Sequence, residues 1–167
     1  PYGARIIQTT ATKQHDWFAT LSPKTGGDPA KDFTVQLMPR SHLRHLADMS
    51  TSKISAQNYG LLFAHVSTAI RTIMDEEGRS TENDENVSRV GVYGKSKHPT
   101  EHLHIKLYPW TGTIGQPYTV DSSYEKKEVH HDKKTSTDYV TMLPVHKTRL
   151  TKERHSHLTK RFIKELE

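Results

Sequence analysis

Apolar residues recur along this chain at two different periods. Over residues 102–108 they alternate: Leu103, Ile105 and Leu107 fall on one side of a strand, and His102, His104, Lys106 and Tyr108 on the other. Shorter runs at Arg5–Thr9, Trp17–Leu21, Asp32–Met38 and Arg89–Tyr93 read as further strands, the third stopped by Pro39. Between residues 55 and 77 the period lengthens. Leu62, Val66, Ala69 and Ile73 follow at steps of three and four, flanked by Phe63, Ile70 and Met74. This spacing predicts a long helix, capped by Ser52 or Ser55 and stopped by Gly78. Gly60 costs such a helix about 1 kcal/mol against Ala, which predicts a close approach there. A last helix is predicted from Thr151, with Leu158, Phe162, Ile163 and Leu166 as the stripe that docks it on the body or on a second subunit.

The segments between are polar or rich in Gly and Pro. Residues 22–29, 80–86, 94–100 and 110–118 read as loops, and 42–49 as one or two helical turns. Residues 121–138 read as a surface hairpin or mobile loop, and 139–143 as an edge strand. The order of strands, long helix, strands and helix predicts a single α+β domain over residues 1–167.

Composition narrows the chemistry. The 167 residues contain no cysteine, which excludes a disulfide framework, a thiol nucleophile and a thiolate zinc site. No apolar run reaches the length of a membrane span, and residues 1–7 lack the pattern of a signal peptide. These features predict a cytoplasmic protein without a membrane partner. Twenty-four basic against nineteen acidic residues give a net charge of +5, before any of the twelve histidines protonates. That excess suits an anionic partner such as a nucleotide, or serves solubility alone, and falls short of a dedicated DNA-binding composition. Lys126, Lys127, Lys133 and Lys134, with Tyr118, Tyr124 and Tyr139, suggest weak nucleic-acid binding through a basic surface, diluted by Glu125, Glu128 and Asp132.

The polar side of residues 102–108 carries the clearest chemical signal. Two imidazoles, an ammonium and a phenol on one strand face suit phosphate oxygens: lysine supplies charge, and histidine donates a hydrogen bond or attacks phosphorus. The alternatives from spacing alone are a sheet face open to solvent and a zinc site using His102 and His104 with His98 or His42. Lys106 opposes the latter by repelling a cation.

The segment His102-Leu103-His104-Ile105-Lys106-Leu107-Tyr108 resembles the motif of the histidine triad (HIT) superfamily, in which histidines alternate with apolar residues along a strand. Residues 33–49, a strand ending Met38-Pro39-Arg40-Ser41-His42-Leu43, resemble that family's strand, proline, basic turn and histidine. The long helix and the strand at 89–93 then follow in the family's order, so the resemblance covers roughly residues 17–110. It implies a HIT-like antiparallel sheet of about five strands with a long packed helix and a C-terminal helix. Residues 111–167 are then an extension packed on the same domain.

The resemblance also implies a function: a nucleotide hydrolase or nucleotidyltransferase acting at the α-phosphate, needing no cofactor and no metal. His104 takes the place of the nucleophile that becomes nucleotidylated, His102 supports it, and His42 holds the framework. Lys106 stands at the third position, where the family has histidine and a transferase branch has glutamine. Lys95, Ser96, Lys97 and His98 occupy the family's polar phosphate-contacting stretch. Phe18 and Leu37, with Ile7 and Leu21, are candidates to line a nucleoside cleft. The implied partners are a nucleotide or dinucleoside polyphosphate and a second copy in a homodimer. The changed third position leaves an alternative open: a HIT-like protein that binds a nucleotide or nucleic acid with little or no turnover.

Overall fold

The computed structural model describes residues 4–10, 17–26, 28–43, 45–79, 88–93, 102–109, 124–144 and 147–167. Its strands are β1 (Arg5–Thr9), β2 (Trp17–Leu21), β3 (Lys24–Thr25), β4 (Val35–Pro39), β5 (Ser88–Tyr93), β6 (His104–Pro109), β7 (Tyr124–Asp132), β8 (Thr137–Pro144) and β9 (Thr148–Arg149). Helix α1 (Lys53–Glu76) follows a 3-10 turn at Leu46–Thr51, and α2 (Lys152–Leu166) closes the chain. The architecture is α+β. Five strands form one antiparallel sheet in the order β1-β2-β4-β6-β5. Two smaller antiparallel pairs, β3-β9 and β7-β8, stand apart from it.

Both helices lie on one face of the large sheet, α1 against β2 and β6, α2 against β1 and α1. Alternation explains the core between them. Trp17, Ala19 and Leu21 of β2, Val35 and Leu37 of β4, and Ile105 and Leu107 of β6 are all fully buried. They meet Leu62, Val66, Ile70 and Ile73 of α1 and Leu158 and Phe162 of α2. Phe33 and Phe162 pack edge to face with ring centroids 5.6 Å apart. The indole N–H of Trp17 donates to the Ser55 hydroxyl at 3.0 Å, so this buried polar atom keeps a partner.

The ends of α1 follow from its sequence. Ser52 caps it, its hydroxyl accepting from the Ser55 N–H at 3.2 Å, while Ser55 is buried against Trp17. Gly78 stops it at φ +66°, a left-handed conformation that glycine adopts without a side-chain clash. Gly60 is a correction. It is exposed, and a Cβ there would meet nothing within 4 Å, so no close approach accounts for it. In α2, the Thr151 hydroxyl accepts from the Arg154 N–H at 3.1 Å. The Arg154 guanidinium grips the Glu77 carboxylate with both nitrogens, and Arg161 bridges Glu76 and Glu165. These pairs tie α2 to the end of α1.

The basic segment predicted as a hairpin or loop, and the edge strand after it, are the two arms of one hairpin, β7 and β8. Its turn is held by Asp132, which accepts from the Lys134 N–H at 2.9 Å and the Thr135 hydroxyl at 2.8 Å. Those bonds hold its carboxyl below the usual range. No helix of the described residues is long and apolar enough to cross a membrane.

Candidate functional site

β6 runs between β4 and β5, and its register is fixed on both sides: Gln36 and Gly91 flank Lys106, and Leu37 and Val92 flank Ile105. Leu103, Ile105 and Leu107 anchor one face in the core. The other face therefore carries His104, Lys106 and Tyr108 as a row pointing away from the helices. His104 and Tyr108 are half-buried, and Lys106 is only 9% exposed. Neighbours on the same face, Thr20 and Met38, are at 0% and 2%. This face is covered at these positions, which corrects the reading of a sheet surface open to solvent.

The imidazoles are held by backbone carbonyls. The His104 Nδ1–H donates to the carbonyl of His102 at 3.1 Å, and the His102 Nε2–H donates to the carbonyl of Pro39 at 2.5 Å. A carbonyl can only accept, so each contact fixes which nitrogen carries the proton. The neutral His104 ring then keeps its lone pair on Nε2. His102 supports its neighbour through its main chain, and its own ring is spent on the strand end at Pro39.

His42 reaches the same place from the turn after β4. Its ring packs against His102 with centroids 5.3 Å apart, and the Leu103 N–H donates to the Leu43 carbonyl at 2.8 Å. The motif strand and the turn are thereby laced together, and the structure brings His42, His102 and His104 into one group. Among the described residues no group of three His, Asp or Glu side chains is placed to hold a metal ion.

The other predicted site residues divide. Phe18 sits opposite Met38 in the register of β2 and β4, on the face that carries His104, and is half-buried. The Arg40 guanidinium lies over its ring, 5.9 Å from the centroid. Leu37 is a correction. Its register partner is Ile105, it is fully buried among the helix-facing residues, and it points away from His104. Ile7 and Leu21 are core residues for the same reason. Lys95, Ser96, Lys97 and His98 lie outside the described residues. Arg40 and Met38 beside Phe18 were not singled out by the sequence; a strict reading of the β4 alternation beyond Leu37 puts Met38 on the His104 face. In the basic hairpin, Tyr139 is stacked on His130, with ring centroids 5.2 Å apart.

No protein-family model matches the chain, and no curated protein or solved structure matches it either.

Proposed function

We propose that this chain is a HIT-like nucleotide hydrolase or nucleotidyltransferase that acts at an α-phosphate through a nucleotidyl-histidine on His104. The observation that carries this reading is the 3.1 Å hydrogen bond from His104 Nδ1 to the His102 carbonyl. It assigns the lone pair to Nε2 and braces the ring against the strand. In the first step that lone pair forms a bond to phosphorus, and the bond from phosphorus to the leaving group breaks with its electron pair going to the leaving group. In the second, the oxygen of water or of another acceptor attacks the same phosphorus. The phosphorus–nitrogen bond then breaks, its electron pair returns to Nε2, and the proton carried by the attacking oxygen is released to solvent.

Lys106 lies two residues along the same face, about 6–7 Å further by strand rise. Its ammonium offsets negative charge on the reacting phosphoryl group. His42 and His102 act as positioning residues. Phe18, with Arg40 over its ring, offers an aromatic surface for a base at the same end of the sheet.

A second reading, nucleotide binding without turnover, is favoured by Lys106 itself. An ammonium holds a phosphate well but is a poorer proton donor to a leaving group near neutral pH than imidazole. Intact-protein mass spectrometry separates the two. The protein and its His104→Ala variant are quenched between milliseconds and minutes after mixing with nucleoside polyphosphates and phosphoramidates. A transient, acid-labile gain of one nucleoside monophosphate, absent from the variant, is expected. No adduct and no product, with nucleotide binding equal in both proteins, would establish the second reading.

A further inference from the structure

The hairpin of β7 and β8 stands apart from the five-stranded sheet, and two strands alone are marginally stable in water. Residues 137–141 of β8, Thr-Asp-Tyr-Val-Thr, are exposed on both faces, with Tyr139 at 53% and Val140 at 46%. Among the described residues no strand pairs with β8 on its outer side, which leaves an open edge of main-chain donors and acceptors. Lysines, prolines and bulges are the usual devices that keep such edges apart. Residues 137–141 contain neither lysine nor proline, and the register shift of the hairpin lies at its far end, between Tyr124 and Lys126. Threonine, tyrosine and valine all favour a strand. The one charge in the segment, Asp138, is engaged by His131 at 2.7 Å.

The order of these residues selects the occupant. A two-fold contact sets one surface against itself, so its sequence has to be self-complementary. About Tyr139, residues 137–141 read nearly the same in both directions. In an antiparallel pairing centred there, Thr137 falls opposite the partner's Thr141, Tyr139 opposite the partner's Tyr139, and Asp138 opposite the partner's Val140. Threonine pairs and aromatic pairs are favourable cross-strand neighbours, and no like charges stand directly opposite. Inside the hairpin Tyr139 is stacked on His130, and Val140 lies opposite Val129. The pairing therefore extends one face into a row of four rings and the other into a patch of four valines. Five paired residues span roughly 17 Å, a contact at the weak end of specific interfaces.

We infer that β8 pairs antiparallel with β8 of a second copy of this chain, about a two-fold axis at Tyr139, and that the two hairpins form one four-stranded sheet in a weak, concentration-dependent dimer. The pairing uses none of the residues around His104.

Sedimentation of the full chain tests it. A dimer is expected to accumulate by about 100 μM, as suits a contact of this size. Tyr139→Lys sets two ammonium groups face to face on the axis and is expected to be monomeric throughout. Val129→Lys, on the outer strand of the same hairpin, is expected to dimerise as the unaltered chain does. Both positions are exposed, so both variants are expected to keep the melting midpoint. The register is read by cross-linking, because the chain has no cysteine of its own. Thr137→Cys and Thr141→Cys, mixed and oxidised with glutathione disulfide, are expected to give a disulfide-linked dimer that neither variant gives alone. A chain monomeric at every concentration, or a dimer that survives Tyr139→Lys, would overturn the inference. So would loss of the dimer in Val129→Lys, which places the contact on the valine face, or cross-linking of either variant alone as readily as of the mixture.

Discussion

Two pairs of histidines lie at strands in this molecule, and they are built for different ends. His104 opens β6 and His102 lies two residues before it, tied to it by the hydrogen bond from the His104 ring to the His102 carbonyl. His130 and His131 are adjacent in β7 and must point to opposite faces. β6 is an inner strand whose far face is locked into the core by Leu103, Ile105 and Leu107. β7 belongs to a two-stranded hairpin that leaves Val129 and Val140 exposed. In the first pair, carbonyls fix the protonated nitrogens. In the second, His131 meets the exposed Asp138 at 2.7 Å and His130 stacks on Tyr139. Such exposed pairs contribute little. An imidazole becomes a candidate nucleophile through the strand that holds it and the acceptor that sets its tautomer; a histidine count carries neither.

The largest effect expected from this contrast is catalytic. His104→Ala should lower turnover of a nucleoside polyphosphate on the order of a thousandfold or more, as loss of a nucleophile does. His130→Ala and His131→Ala should leave the rate unchanged. Steady-state rates of the three variants on one substrate decide it, and a rate loss shared by the hairpin variants would erase the distinction.

Stability should divide along the same line. Ile105→Ala removes a fully buried side chain beneath the site and should cost about 2–5 kcal/mol in urea unfolding. Val129→Ala, at a position 65% exposed, should stay within about 0.5 kcal/mol. Similar losses from both would mean that the hairpin is as much part of the core as β6.

The smallest expected effect is at the hairpin turn. Asp132 is held below the usual carboxylate range, first by the Lys134 N–H and then by the Thr135 hydroxyl. A lowered folded value means that the carboxylate stabilises the turn fully above its unfolded pKa and stops doing so as pH falls through the lower folded one. Amide signals of residues 132–137 should therefore hold steady through neutral pH and change only in strong acid. Asp132→Asn should abolish that acid transition without moving the melting midpoint. A transition that survives in the variant would assign it to another group.

The sequence revealed what local periodicity controls. The alternation of Ile105 and Leu107 against His104 and Lys106 gave the faces of β6, which begins at His104 and leaves His102 and Leu103 of the expected strand before it, and the stripe on residues 62–73 gave α1 with Gly78 as its stop. The β4 segment was legible as a strand, yet the face of Leu37 was misjudged, because a cleft-lining leucine and a core leucine look alike until register pairs one with Ile105. The small β3-β9 pair was invisible: each strand is two residues long, too short for any period. Gly60 shows the reverse error, a propensity cost read as a packing demand that the fold does not make.

The nitrogen of His104 that carries the proton decides whether Nε2 can attack phosphorus. Long-range proton–nitrogen NMR on the histidine-labelled protein, across the neutral to alkaline range, reads it directly. The expected result is a neutral ring protonated at Nδ1, with an unprotonated Nε2 whose signal is lost in His104→Ala. A His104 ring protonated at Nε2 would contradict the hydrogen bond to the His102 carbonyl and the nucleophile built on it.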